Sequence, residues 1–142
     1  MKHLKLFEQF GSGLEIRPSN IPNSGNGLFA TKFFEDESII DEFTGEIITA
    51  EESMADHFND KSDRGRYLIS LSNGKVLDVY HSKCFARVAN DAEGFQKSEW
   101  ENNSELMEDD YGRMYLVATR DIYPGEEVFT AYGEDYWNHF RN

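Results

Sequence analysis

Arg66-Tyr67-Leu68-Ile69-Ser70-Leu71, then Ser72-Asn73-Gly74, then Lys75-Val76-Leu77-Asp78-Val79-Tyr80: two runs rich in β-branched and aromatic residues flank a short polar break. Asn-Gly between such runs is the strongest short-range hairpin signal, because both residues tolerate positive φ. The same grammar recurs on both sides. Ser38 to Phe43 and Gly45 to Ile48 read as short strands upstream. Met114 to Thr119 and, after the Pro124-Gly125 turn, Glu127 to Thr130 read as strands downstream. Helical signals are few. Thr49-Ala50-Glu51-Glu52 has the form of a capping box, predicting a helix from Thr49 to about Phe58, and a shorter one is expected over Glu134 to Phe140. Asp91 to Asp110 carries many acids and few apolar residues and reads as a long, partly ordered acidic loop. The fold class expected is mainly β, with short strands in several small sheets and few short helices.

A chain of 142 residues is enough for one domain with an ordinary core. Hydrophobic residues at 39% and charged residues at 29% are a globular balance, not a disordered one. Cys84 stands alone, which excludes an internal disulfide and a cysteine zinc cluster, so no metal is expected. No apolar run approaches a membrane span, and the opening residues lack a signal-peptide pattern, so an intracellular protein without membrane attachment is expected. Fourteen Lys and Arg against 27 Asp and Glu give a net charge of −13. Such a surface repels phosphate backbones, which argues against direct nucleic-acid binding, and suits a Lys/Arg-rich partner.

Four clusters carry candidate chemistry. Gly25-Asn26-Gly27-Leu28-Phe29 is a glycine-rich turn that lets a ligand approach the backbone, but it lacks the third glycine of a dinucleotide fingerprint. Phe43-Thr44-Gly45 ends a strand on an aromatic residue and a flexible turn. Arg87-Val88-Ala89-Asn90-Asp91-Ala92 sets charged and amide side chains among small residues. Gly125-Glu126-Glu127-Val128-Phe129-Thr130-Ala131-Tyr132-Gly133 ends a strand on a tyrosine. Each alone is better read as a turn or as packing. A nucleophile elbow is absent from the sequence, and His3, His57, His81 and His139 are too scattered for a helix-borne metal pair.

Their order and spacing together say more. Gly25-x-Gly27-Leu28-Phe29-Ala30, Phe43-x-Gly45, Ala86 to Asp91, and Gly125-Glu126-Glu127 through Tyr132-Gly133 resemble, in sequence order, the GxG, YxG, RFINHS-like and GEEL…YG motifs of the SET-domain protein lysine methyltransferases. The ending Tyr132-Gly133-Glu134-Asp135-Tyr136-Trp137 is similar to the compact viral-type members without cysteine clusters around the domain. The resemblance implies a β-clip-like SET fold over residues 14–142, after an extension at 1–13, with a C-terminal pseudoknot whose crossing segments are Arg87 to Asp91 and Glu127 to Gly133. It implies an enzyme that uses S-adenosyl-L-methionine. The backbone of Asn26, Gly27 and Leu28 would hold the cofactor's methionine part, Arg87 and Asn90 its polar groups, Asp91 its adenine, and Tyr136 and Trp137 would cover the adenine. Tyr132 is the catalytic residue by this likeness, Tyr67 a second candidate, and Phe43, Thr130 and Tyr132 line the substrate-lysine channel. The resemblance also implies a basic protein substrate, a histone tail first and a non-histone protein next, with a nuclear location through the histone. The compact relatives are dimers, so a homodimer is allowed.

Three positions depart from the family pattern. Phe43 replaces the YxG tyrosine and removes one hydroxyl from the channel; Asp91-Ala92 replaces histidine-serine; and Thr130 stands where the family commonly carries Phe or Tyr. These departures also support a rival reading, a catalytically weak SET-like module that binds a basic protein.

Overall fold

The computed structural model describes residues 13–54, 67–94 and 98–131. Among them, nine short strands pair antiparallel into three sheets of three: β1 (Leu14–Pro18), β2 (Asn26–Ala30) and β9 (Glu127–Val128); β3 (Ile39–Phe43), β8 (Met114–Ala118) and β7 (Ser104–Glu108); and β4 (Glu46–Ile48), β6 (Val76–Asp78) and β5 (Leu68–Ser70). Regular helical structure in these residues includes 3-10 turns at Glu52–Met54 and Ala86–Val88. The mainly β class expected from the sequence is the class observed.

Leu28, Leu116, Ile122 and Val128 are completely buried and draw strands of the first two sheets into a common core with Phe34, Phe43, Leu77 and Val79. Burying side chains of this size contributes about 1.5–3 kcal/mol each relative to exposure, which is what ties such short ladders together. The β5–β6 hairpin forms with Leu68 opposite Asp78. Of the Asn73-Gly74 pair only Gly74 takes a positive φ, +85°. Gly74 N–H donates to Leu71 O (3.1 Å) and Leu71 N–H to Lys75 O (2.9 Å), so the loop is a type I turn closed by a left-handed glycine. The capping box is present: Glu52 N–H donates to Thr49 Oγ1 (3.0 Å) and Thr49 N–H to Glu52 Oε1 (3.1 Å). The rest of that expected helix, beyond Met54, and the whole of the one at Glu134 to Phe140 lie outside the described residues.

Two elements differ from the sequence expectation. The acidic stretch 91–110 is not all loop, because Ser104–Glu108 pairs along its length with β8, Leu106 opposite Leu116. And the glycine-rich turn ends at Gly25; from Asn26 the chain is already strand, paired with β1 from Pro18–Asn26 to Leu14–Ala30.

A bulge in β3 aims Asp41 away from its own sheet. Ile39 opposes Val117 and Asp41 opposes Leu116, so Ile40 is the extra residue and turns into the core. Asp41 then reaches the 3-10 turn that carries Arg87, where its Oδ2 accepts the Ala86 N–H at 2.8 Å. At Gly45 the chain passes so close to β6 that an added Cβ would sit 2.2 Å from the carbonyl oxygen of Asp78.

Candidate active site

The site is organised around residues 127–130. On one side Thr130 N–H donates to Asn90 O (2.9 Å), making a parallel bridge between Asn90 and Phe129. On the other, Asn103 and Ser104 N–H both donate to Phe129 O (3.1 and 3.0 Å), and the Ser104 hydroxyl joins them at 2.7 Å. The Asn103 side chain completes the seam. Its Nδ2 donates to Glu127 O (2.9 Å) and its Oδ1 accepts Phe129 N–H (2.8 Å), so a buried amide imitates the edge of a neighbouring strand. The 87–91 segment and the start of the 127–133 segment are thus hydrogen-bonded neighbours, as crossing segments would be.

β2 brings the glycine-rich stretch to the same place. Asn90 Nδ2 donates to Asn26 O at 3.0 Å and joins two of the sequence motifs directly. Gly27 lies against the buried carboxylate of Glu127: a Cβ there would stand 2.2 Å from Glu127 Oε2. Asn26 is exposed, Gly27 and Leu28 are buried, and the space around Gly25 is open.

Arg87 faces the hairpin. Its Nη1 donates to Tyr80 O (2.9 Å) and Ser82 O (2.6 Å), and the guanidinium lies 4.9 Å from the centre of the Tyr67 ring. Tyr67 meets Tyr80 edge-on at 5.6 Å. Asp41, which seats the 3-10 turn of Arg87, has its carboxyl pushed above its ordinary value by burial, although the N–H groups of Ala86, Glu42 and Phe85 pull the other way. Asp91 Oδ1 accepts the Glu93 N–H (2.9 Å) and the Asn102 amide (3.0 Å), while Asn102 Oδ1 accepts the Ala92 N–H (2.8 Å). This pair braces the turn where the family pattern has histidine-serine. Phe43 is buried in the core.

The structure therefore brings Asn26, Gly27, Leu28, Asn90 and Thr130 together, and sets Arg87 on Tyr67 beside the hairpin. Tyr132, Tyr136 and Trp137 lie outside the described residues. Sequence reasoning missed Asn103, Asn102, Glu127 and Asp41. Asn102-Asn103-Ser104 has the form of a glycosylation triplet, and nothing local tells that Asn103 pairs with a strand more than twenty residues away.

Two features fit a ligand here. Thr130 Oγ1 is buried with no hydrogen-bond partner among the described residues, a rare condition for a buried hydroxyl. The exposed backbone at Gly25 and Asn26 borders open space. Among the described residues, no three His, Cys, Asp or Glu side chains gather as a metal site.

The SET domain family pattern matches residues 25–133, which runs from the glycine-rich segment through Gly133. The chain is also 28% identical, over 136 residues, to the histone-lysine N-methyltransferase trr of Drosophila melanogaster. That match takes in 94% of this chain but spans only 5% of the relative's length.

Proposed function

The chain belongs to the SET-domain family, and from that premise we propose that residues 14–142 form an S-adenosylmethionine-dependent protein lysine N-methyltransferase acting on a basic peptide, a histone tail first. The observation that carries the reading is the junction of Asn26, Asn90 and Thr130 through the Asn90 side chain and carbonyl, with a buried Thr130 hydroxyl that has no partner among the described residues. The relative's histone-lysine activity and this chain's net charge of −13 support the substrate class.

When bound, S-adenosylmethionine supplies a methyl on a sulfonium, open to in-line attack by a neutral amine. The residues of this chain have to make that amine neutral and aim it. A free lysine titrates near 10.4 and is almost wholly protonated at neutral pH. A channel lined by Phe43 and Thr130 desolvates the ammonium and lowers its pKa. The Tyr132 hydroxyl, with backbone carbonyls, would orient the acceptor nitrogen, and most of the acceleration would come from alignment, which replaces a bimolecular encounter. Asn26, Gly27 and Leu28 would hold the cofactor's methionine part by their backbone. Arg87 and Asn90 would meet its polar groups, Asp91 would meet its adenine, and Tyr136 and Trp137 would cover it. Tyr67 borders the lysine channel as a second aromatic.

Thr130 is smaller than the Phe or Tyr common in the family and Phe43 lacks the tyrosine hydroxyl, so the enzyme can add more than one methyl. Mass spectra with excess cofactor and fresh enzyme test this; a reaction that stops at one methyl rejects it. The activity itself is tested by incubating the protein with labelled S-adenosylmethionine and a panel of core histones and ribosomal proteins. Label on one protein's lysine supports the enzyme and identifies its substrate class. A second reading, a module that binds a basic protein without modifying it, draws on Phe43 and Asp91-Ala92. It predicts histone binding with neither label nor cofactor binding.

A further inference from the structure

We propose that Glu127 is a positioning residue for the cofactor segment: its buried carboxylate clamps the Ser19–Asn20 corner and fills the flank of Gly27, holding the Asn26–Leu28 backbone in the shape that receives S-adenosylmethionine. This rests on the methyltransferase reading above.

Glu127 is 3% exposed, and a buried carboxylate is costly unless its oxygens are bonded. Its side-chain oxygens do not turn back to its own strand. Oε2 accepts the Ser19 hydroxyl and Oε1 the Asn20 N–H, both at 2.7 Å. Ser19 Oγ in turn accepts the Ile21 N–H at 3.1 Å, and Ser19 N–H closes on Gly25 O at 2.9 Å. One carboxylate therefore anchors the corner from which the loop to Gly25 is closed, and that loop delivers the chain into Asn26. The same Oε2 occupies the place a side chain at position 27 would need. Gly27 is thus glycine at least partly because Glu127 lies beside it. Glu127 is itself held at its carbonyl by Asn103 and paired across the β2–β9 ladder with Phe29. An apolar side chain at 127 would pack the core but leave the Ser19–Asn20 corner without its two acceptors.

The test compares Glu127→Ala, Glu127→Gln and Ser19→Ala with the unaltered protein. Three quantities are measured: S-adenosylmethionine affinity by calorimetry, hydrogen exchange of amides 19–27 without cofactor, and Tm. Losing hydrogen bonds to a charged group is expected to weaken cofactor binding in Glu127→Ala by about tenfold to a hundredfold and to speed exchange across 19–27. Glu127→Gln, which keeps an acceptor for Asn20, recovers most of the affinity. Ser19→Ala, at a half-buried site outside the core, shows a smaller loss of the same kind and answers the question even if Glu127→Ala does not fold. A role confined to packing predicts a lower Tm in Glu127→Ala with unchanged affinity and unchanged exchange in both Glu127→Ala and Ser19→Ala, and that result overturns the assignment. Absence of cofactor binding by the unaltered protein overturns the methyltransferase reading instead, and the assignment with it.

Discussion

Asn103→Ala tests how the 127–130 segment is held. Asn103 is 1% exposed, and its amide bonds Glu127 O and Phe129 N–H, both within a buried seam. Truncation removes the donor and the acceptor together and leaves two backbone groups facing an apolar cavity that water enters poorly. Each unsatisfied buried group costs about 1–3 kcal/mol, so the expected loss for the two is roughly 2–6 kcal/mol. Asn103→Asp keeps an acceptor for Phe129 N–H but turns an oxygen toward Glu127 O, so at neutral pH it recovers little. Urea unfolding at fixed temperature measures the loss as a fall in midpoint at constant slope. With a slope of about 2 kcal/mol/M, the midpoint falls by roughly 1–3 M. A loss under about 0.5 kcal/mol, smaller than one ordinary hydrogen bond, would mean that the Asn103 amide is not what holds the segment, and the physical account of the crossing would be wrong.

Other predictions rest on single contacts. Asp41 has a raised carboxyl pKa in the folded state, so the unfolded chain gives up that proton first and wild-type stability falls as pH rises through the carboxylate range toward the folded value. Relative to Asp41→Asn, wild type should therefore lose Tm as pH rises above the ordinary aspartate pKa; a relative gain contradicts burial as the dominant cause. Gly45→Ala drives a methyl against the Asp78 carbonyl, a backbone atom that cannot rotate away, and should lower stability by about 1–3 kcal/mol or more in the same urea assay. Gly74→Ala places a side chain at φ +85° in open space and should cost about 1 kcal/mol without altering the hairpin's amide exchange pattern; a loss of that pattern means the turn, not the strands, sets the register.

Features written in local chemistry were legible. The hairpin around Asn73-Gly74, the Thr49–Glu52 capping box and the β3, β4 and β8 strands each reflect short-range propensity. So did the family, because its motifs lie in order along the chain. What stayed hidden depends on residues distant in sequence. Ser104–Glu108 looks like solvated loop because Glu105 and Met107 face outward; only pairing with Leu116 and Val117 makes it a strand. The second glutamate of Gly125-Glu126-Glu127 reads as surface charge until Ser19 and Asn20 are seen to cover it. Asp41 reads as an outward strand residue until the bulge at Ile40 aims it at Ala86. Arg87, assigned to the cofactor by likeness, also donates to two backbone carbonyls, a task no spacing rule reveals.

The measurement that tests the central claim most directly is release of S-adenosylhomocysteine from S-adenosylmethionine in the presence of a lysine-bearing histone-tail peptide, compared with Tyr132→Phe. Peptide-dependent release by wild type, reduced roughly a hundredfold or more in the variant, is the predicted result. Wild type that binds both cofactor and peptide yet releases no product, or a variant that works as well as wild type, would contradict it.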